Sequence, residues 1–283
     1  MQLAAPFPVL GDPAYVAYIG DLSFKGGANT STHIAEIRYP VQAAPVVSVV
    51  KLLAADGLAA CNEALAWLFL RAAGIPSPRT AAILTLTEKK AVEVLGRKRV
   101  PQKWVSNGYI RAWAAEQLDF KSIQVLFAGS RAEDRWVALL QTVHGAAIAA
   151  FDEAYLNIDR NTGNILFSGE SSCVPVDHEL CFGLQNWLTD DLKHLNMDGD
   201  GVRQLKTAVQ AKKVADVELQ QAYGKIVFHA EKHAASLQAC HAHISELLSR
   251  VYPNEGTVLA QRVLSFVTER TAQNWMKDRL GVY

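Results

Sequence analysis

The stretch Asn157-Ile-Asp-Arg-Asn-Thr-Gly-Asn-Ile-Leu-Phe167 decides how the rest of this sequence is interpreted. An apolar run almost devoid of charge, residues 136–150, precedes it and predicts one long helix at the centre of a helical region. The stretch then passes from a carboxylate through a turn rich in asparagine and glycine into an apolar strand. Phosphoryl transfer requires a carboxylate that orients the attacking hydroxyl and, a few residues later, an oxygen ligand for magnesium. Asp159 and Asn164 supply these two groups in the pattern Asp-x-x-x-x-Asn.

A second carboxylate, Asp177, follows a short β-branched run soon after this turn. Magnesium prefers hard oxygen ligands and fills its remaining positions with water and phosphate. Asp177 and Asn164, on two turns joined by a short strand, are therefore the predicted magnesium ligands. Each element has an ordinary alternative, because an Asp at a strand end can cap a helix and residues 157–163 can be a simple connecting turn.

An anion-binding lysine is predicted upstream, in the apolar strand of residues 45–53. Lys51 near the end of this strand is costly to bury unless an anion compensates its charge. The candidate anions are the phosphates of ATP and the carboxylate of Glu63, which opens the following helix.

A turn rich in glycine and hydroxyl groups, Lys25-Gly-Gly-Ala-Asn-Thr-Ser-Thr32, precedes the lysine strand, as a phosphate-covering loop should. Its expected nucleotide-binding residues are Gly26, Gly27, Thr30 and Ser31. The alternative for the two glycines is an ordinary hairpin turn.

The order of the elements predicts an α+β, two-lobed, protein-kinase-like fold. The strand-rich N-lobe covers residues 1–117 and the helical C-lobe covers residues 118–283, with a ligand cleft between them. The adenine ring is expected at the connector, where backbone groups near Ala115 and Gln117 can pair with it.

Local patterns add detail to this outline. Asn62 is expected to cap a helix over residues 63–73, and Gly74 to end it. Residues 89–103 are expected to form a loop or short hairpin. The segment Met197-Asp-Gly-Asp-Gly201 is interpreted as a helix-capping turn rather than a calcium loop. Further strands are expected at 14–19, 33–39, 81–87 and 109–118, and further helices from about 131, 198 and 257.

Composition narrows the classes of protein that this chain can belong to. Lysine plus arginine and aspartate plus glutamate number 28 each among 283 residues, so the net charge is zero and direct binding of nucleic acid is not expected. The longest apolar run, residues 64–70, is too short to cross a bilayer, so no transmembrane segment is expected. The four cysteines have no paired spacing, which favours reduced thiols and a cytoplasmic location.

At this point the sequence resembles the HipA-like kinases. The resemblance lies in the stretch at 157–166, in Val176-Asp177-His178, and in Asn62-Glu63 heading a helix that ends in Ala-Gly-Ile-Pro-Ser-Pro78. It extends over residues 20–183. Residues 25–32 match no single subfamily, and His178-Glu179 stands where protein kinases have Phe-Gly.

The resemblance implies a role for each matching residue. Asp159 is the catalytic base or orienting carboxylate, Asn164 and Asp177 hold magnesium, Lys51 holds the phosphates of ATP, and Glu63 pairs with Lys51.

The resemblance also implies a serine/threonine protein kinase, of which some act as toxins in toxin–antitoxin pairs. A protein or small-molecule phosphate acceptor and an antitoxin-like protein partner are then expected. The motifs leave three alternatives open. These are a small-molecule or lipid kinase on the same fold, a pseudokinase that binds nucleotide without transferring phosphate, and nucleotidyl transfer with the nucleotide reversed.

Overall fold

The computed structural model of the chain describes residues 6–22, 31–127, 129–169, 172–183, 187, 192 and 197–282. It has an α+β architecture, with a strand-rich N-terminal part followed by a helical C-terminal part. The predicted boundary after residue 117 falls in the short connector that follows the last strand of the N-terminal sheet.

The N-terminal part is built on a six-stranded sheet with the strand order β1-β5-β6-β4-β3-β2. The two-residue strand β1 runs parallel to β5, and the remaining neighbours are antiparallel. The sequence-based strand predictions at 14–19, 33–39, 45–53, 81–87 and 109–118 are each matched by one strand. The strands are β1 Val9–Leu10, β2 Tyr15–Asp21, β3 His33–Ile37, β4 Val46–Leu53, β5 Ala81–Thr87 and β6 Tyr109–Glu116.

The sheet is covered by one helix on each face. Helix α1 (Ala59–Ala73) packs with Leu53 and Ile83 on one face, and α2 (Glu88–Leu95) packs with Leu52 and Leu84 on the other. Successive strand residues alternate between faces, so the odd-numbered residues of β4, including Lys51, lie on the face of α1. This alternation determines which predicted site residues can meet.

The C-terminal part has a second, three-stranded sheet of order β7-β8-β9 and a bundle of helices. Helix α5 lies at its centre and is almost entirely buried. The elements are β7 Lys121–Ser122, α3 Ile123–Leu126, α4 Ser130–Leu140, α5 Val143–Ala154, β8 Ile165–Gly169, β9 Ser172–Pro175, α6 Asp200–Gln210, α7 Asp216–Ala230, α8 His233–Val251, α9 Gly256–Arg270 and α10 Trp275–Leu280.

Two predicted helices differ from those in the structure. The single helix expected over residues 136–150 is wrong, because the chain breaks between α4 and α5, where the Thr142 hydroxyl accepts a hydrogen bond from the Gly145 amide at 3.2 Å. Helix α1 begins at Ala59 rather than at Glu63, so Asn62 lies inside the first turn and does not cap it. Gly74 ends α1 in the left-handed conformation, as predicted.

The loop or hairpin expected over residues 89–103 is also wrong. The segment forms α2 and two short 3₁₀ turns, Arg97–Arg99 and Gln102–Trp104. The hydroxyl of Thr87 caps α2 by accepting a hydrogen bond from the Lys90 amide. Ala91 packs against the sheet, and this tertiary contact stabilises α2. The many charged residues of the segment gave no clear helical pattern, so the helix was not predicted.

The two parts of the chain share a continuous core, in which α1 packs against α8. Arg111 of β6 strengthens the junction by donating to the Val251 carbonyl at 3.0 Å and to the Tyr252 hydroxyl at 2.7 Å. None of the helices in the described ranges is long and apolar enough to cross a membrane.

Candidate functional site

A lysine of the sheet and two carboxylates of the helical part form an ion cluster at the junction between them. Lys51 Nζ lies 2.7 Å from Asp177 Oδ1 and 2.9 Å from Glu179 Oε2. The lysine side chain is 12% exposed, whereas that of Asp177 is 36% exposed, so the cluster is sheltered on the lysine side and open at the aspartate. Burial opposes the charge of Lys51, but the carboxylates of Asp177, Glu63 and Glu179 together hold its pKa above the usual value. The lysine therefore stays charged at neutral pH.

The position of Asp177 is determined by hydrogen bonds to its neighbour Val176. The Val176 amide donates to the Asn164 carbonyl at 3.0 Å, and its carbonyl accepts from Arg160 Nη1 at 2.7 Å. Asp177 itself has a φ of 60°, in the left-handed region that non-glycine residues seldom adopt. This sharp turn after β9 directs the carboxylate to Lys51 instead of continuing the strand.

The turn that carries Asp159 and Asn164 is held together by its own polar groups. Asn164 Nδ2 donates to the Asp159 carbonyl at 2.8 Å, and the Asp159 amide donates to Asn157 Oδ1 at 3.3 Å. With Nδ2 engaged, Oδ1 is the atom of Asn164 that can coordinate a cation. Asp159 is partly exposed. The same turn that fixes the backbone thus leaves a carboxylate and an amide oxygen for a ligand.

A buried arginine joins this turn to the rest of the site. Arg160 is completely buried, and it donates to Asp152 of α5 and to the carbonyls of Asn164 and Val176. Asn157 donates to the same Asp152 carboxylate at 3.0 Å. Asp152 therefore anchors both ends of the turn to the central helix.

Helix α6 also supports the turn through two hydrogen bonds to its backbone. The Asp200 amide donates to the Asn157 carbonyl at 2.9 Å, and Gln204 Nε2 donates to the Arg160 carbonyl. Burial raises the pKa of Asp200 to about 6. The start of α6 thus lies directly against the Asp159 turn.

Glu63 is buried beside His178 rather than paired with Lys51. Its Oε2 lies 3.4 Å from His178 Nδ1, and the described ion pairs of Lys51 are to Asp177 and Glu179. Burial raises the pKa of Glu63 to about 7, an effect to which Asp177 adds and which Lys51 opposes. Burial and the charge of Arg160 lower the pKa of His178 to about 3, so this ring is neutral. The Glu63–Lys51 ion pair implied by the resemblance is therefore replaced by Glu179–Lys51.

Asn62, the expected helix cap, forms hydrogen bonds to the loop that follows Asp177 instead. Its Nδ2 donates to the Glu179 carbonyl at 2.7 Å and to the Cys181 carbonyl at 3.3 Å. Its Oδ1 accepts from Trp187 Nε1 at 2.9 Å. Because Asn62 is completely buried, it ties α1 firmly to the loop that follows Asp177.

The structure describes only the end of the expected phosphate loop, residues 31 and 32. Gly26, Gly27 and Thr30 lie outside the described residues. Ser31 is buried, and its hydroxyl donates to the Arg99 carbonyl at 2.6 Å. This contact holds Ser31 against the 3₁₀ turn Arg97–Arg99, so its hydroxyl is engaged within the protein, and its role in holding phosphate stays a prediction.

The backbone amide and carbonyl groups of the two expected adenine-binding residues, Ala115 and Gln117, are engaged to different extents in the sheet. Ala115 lies within β6, opposite Val49 of β4 and Ala81 of β5, so its amide and carbonyl belong to the sheet. The Gln117 amide donates to the Val47 carbonyl at 2.9 Å. Strand β6 ends at Glu116, so connector backbone outside the sheet begins after Gln117, and the prediction that the backbone of Ala115 pairs with the adenine is corrected.

The donor set at Asp177 and Asn164 fits a magnesium ion in chemistry. A partly exposed carboxylate and an available amide oxygen are hard ligands, and magnesium completes its shell with water and phosphate. Within the described part of the chain, no group of three or more His, Cys, Asp or Glu side chains forms a ready metal cage. Any magnesium here would be held jointly with a phosphate-bearing ligand.

No family model matches this sequence, and no curated protein sequence matches it.

Sequence reasoning missed the residues that hold the site together, namely Arg160, Asp152 and Glu179. Arg160 lies within residues 157–167, the stretch from which the site was predicted. A single buried arginine produces no periodic hydrophobic pattern, so the sequence did not indicate its burial. Asp152 follows the apolar run at 136–150 by two residues and lies within helix α5, and a charge on an otherwise apolar helix is the sign from which it could have been found.

Proposed function

We propose that this protein is an ATP- and magnesium-dependent phosphotransferase with the two-lobed fold of protein kinases, and that it acts as a HipA-like serine/threonine protein kinase. The observation that carries the proposal is the Lys51–Asp177 contact of 2.7 Å between residues 126 positions apart. It joins the sheet to the loop after β9, and that loop is hydrogen-bonded through the Val176 amide to the turn that holds Asp159 and Asn164.

Each residue has a role that its surroundings support. Lys51, charged and sheltered, would neutralise the phosphates of the nucleotide. Asp177 and Asn164 would hold magnesium, which offsets the charge of the transferred phosphoryl group. Asp159, partly exposed on a rigid turn, would accept a hydrogen bond from the acceptor hydroxyl and orient it for attack.

The adenine ring would lie against the connector after β6. Its backbone beyond Gln117 lies outside the ladder of the sheet, so amide and carbonyl groups there can pair with the base. The phosphates would then extend under the sheet towards Lys51. The acceptor would approach from the side of Asp159, and an antitoxin-like protein partner follows from the resemblance alone.

The test is transfer of label from γ-labelled ATP in the presence of magnesium. Label is followed on the protein itself, on proteins and lipids of a cell lysate, and in free phosphate. The Asp159→Asn variant should lose at least about a hundredfold in rate, since it keeps the shape of the carboxylate and removes its charge. Asp216→Asn, at an exposed position at the start of α7, is the matched control and should behave as the parent.

The outcomes separate the alternatives. Label on a lysate protein, lost with Asp159→Asn, supports a protein kinase, whereas label on lipid or a small molecule supports the other kinases. Tight ATP binding without transfer under any condition indicates a pseudokinase. Absence of ATP binding by the parent protein overturns the proposal.

A further inference from the structure

Three carboxylates surround Lys51, and they are not equivalent. Asp177 and Glu179 lie within 2.9 Å of its ammonium group, whereas the described contact of Glu63 is with His178 at 3.4 Å. A lysine that holds phosphates needs one carboxylate that keeps its side chain extended into the site while the ligand exchanges. The distances leave Asp177 and Glu179 as candidates.

Asp177 has a competing task. As the proposed magnesium ligand, it would share its negative charge with a divalent cation, which attracts a carboxylate more strongly than an ammonium group does. Its side chain is also the more exposed of the two, at 36% against 22% for Glu179. Glu179 is thus the carboxylate that can remain with Lys51 when the metal is bound.

The backbone of Glu179 is fixed from helix α1. Asn62 Nδ2 donates to its carbonyl at 2.7 Å, and Trp187 Nε1 donates in turn to Asn62 Oδ1 at 2.9 Å. Asn62 and Trp187 are both buried, and hydrogen bonds made by buried groups hold their geometry firmly. Glu179 is therefore a preorganised partner of Lys51.

The position of Glu63 is unsuited to the same task. Its side chain is 2% exposed and is packed beside a neutral imidazole. Helix α1, which carries it, is packed between the sheet and α8, so it has little freedom to bring Glu63 closer to Lys51.

We propose that Glu179 is the positioning residue that holds Lys51 for the phosphates of the nucleotide, the role that the sequence pattern assigns to Glu63. This inference rests on the proposed function, because it requires that phosphates bind at Lys51. It places the partner of the lysine on the same loop as the magnesium aspartate, two residues further along the chain. Loop 177–179 then organises the metal and the phosphate-binding lysine together.

The experiment compares binding of magnesium–ATP and of adenosine by calorimetry for the parent, Glu179→Gln and Glu63→Gln. In the proposed site Lys51 contacts only the phosphates of ATP. Loss of its positioning should therefore weaken the binding of ATP and leave the binding of adenosine unchanged. Glu179→Gln should weaken ATP roughly tenfold, as expected for removal of a charge-assisted hydrogen bond, and leave adenosine binding within about twofold of the parent. Glu63 acts on Lys51 through its charge and makes no hydrogen bond to it, so Glu63→Gln should weaken ATP binding by less than Glu179→Gln does.

Further variants define the charge requirement. Glu179→Asp keeps the charge and should recover part of the ATP affinity, and Glu179→Gln in a Lys51→Met background should have no additional effect, because the partner is already gone. The midpoint of the magnesium titration should stay unchanged in Glu179→Gln.

Four results would overturn the inference. Two concern affinity: a larger loss of ATP affinity in Glu63→Gln than in Glu179→Gln, or an equal loss of ATP and adenosine affinity in Glu179→Gln. The other two are a shifted magnesium midpoint in Glu179→Gln, and losses of ATP affinity that add when Glu179→Gln is combined with Lys51→Met. If the parent binds no ATP, the proposed function falls and this inference with it. If the parent binds ATP and Glu179→Gln binds it equally well, the inference alone falls.

Discussion

The guanidinium of Arg160 lies fully buried against the carboxylate of Asp152, with Nη2 and Oδ1 3.0 Å apart. The same guanidinium donates to the carbonyls of Asn164 and Val176, so one cation connects helix α5, the Asp159 turn and the residue before Asp177. A buried charge is costly unless it is paired and fully hydrogen-bonded, and here both conditions are met. This pair therefore helps to place the proposed catalytic and metal-binding loops relative to each other, together with the hydrogen bond from the Val176 amide to the Asn164 carbonyl.

Breaking the Asp152–Arg160 pair from one side should be strongly destabilising. Asp152→Asn leaves the guanidinium buried without a counter-charge, and we expect a loss of about 3–5 kcal/mol in the free energy of unfolding, measured with urea. The double variant Asp152→Leu with Arg160→Met removes both charges and should recover most of this loss.

The double variant separates stability from function. It lacks the donor to the Val176 carbonyl, so Asp177 loses its fixed position and phosphoryl transfer should stay low even though the protein is folded. A double variant that is as active as the parent would contradict the role of Arg160 in placing the metal loop. Arg38→Met, which removes a cation outside this network, serves as the control.

A glycine under helix α5 gives a second prediction. A Cβ at Gly199 would lie 2.4 Å from the Asp152 carbonyl oxygen, closer than atoms can approach, whereas a Cβ at Gly224 of α7 would have nothing within 4 Å. Gly199→Ala should therefore cost about 2–4 kcal/mol by forcing α6 away from α5. Gly224→Ala, the matched control, should stabilise by about 0.5–1 kcal/mol because alanine is the better helix former. Thermal unfolding measures both, and equal effects would contradict the close approach.

Strands β2 to β6 could be predicted from the sequence because their apolar and β-branched residues reflect burial in the sheet, whereas the two-residue strands β1 and β7 are too short to give such a pattern. The turn at Asp159 and the carboxylate at Asp177 could be recognised because the residues that define them lie close together in the sequence. The segment Met197–Gly201 was interpreted as a capping turn, and α6 does begin within it. The requirement for glycine at 199 comes from α5, which is remote in sequence.

Features that depend on contacts between distant segments could not be predicted. Asn62 has the composition of a cap, yet its partners at Glu179 and Cys181 are 117 and 119 residues away. Ser31 carries a hydroxyl suited to phosphate, but that hydroxyl donates to the carbonyl of Arg99, which is 68 residues away in the sequence. Helix α2 was not predicted because its charged residues give no clear helical pattern and it is stabilised by packing against the sheet.

The buried carboxyl of Glu63 should give the protein a characteristic pH dependence. Its pKa is raised to about 7 in the folded state from 4.5, so between these values the folded protein binds more protons than the unfolded chain. The stabilisation is complete below the unfolded value and is lost as the pH rises through about 7. Glu63→Gln cannot ionise and should lack this loss.

The measurement is the urea unfolding free energy of the parent and of Glu63→Gln at two pH values. Between about pH 5 and about pH 8, the parent should lose roughly 1–3 kcal/mol relative to the variant. Lys51, Asp177 and His178, which face Glu63, are present in both proteins, so their direct contributions largely cancel in the comparison. Parallel pH profiles for the two proteins would show that Glu63 has an ordinary pKa.

Asn62 should be the most sensitive polar residue of helix α1. Asn62→Ala leaves the Glu179 and Cys181 carbonyls and the Trp187 indole nitrogen without their buried partner, which should cost about 2–4 kcal/mol in unfolding free energy. Asn254→Ala, at an exposed loop position before α9, should change stability by less than about 0.5 kcal/mol. Because Asn62 fixes the backbone of Glu179, Asn62→Ala should also weaken binding of magnesium–ATP more than that of adenosine. A folded Asn62→Ala protein with normal affinity for both ligands would show that loop 177–179 holds its position without α1.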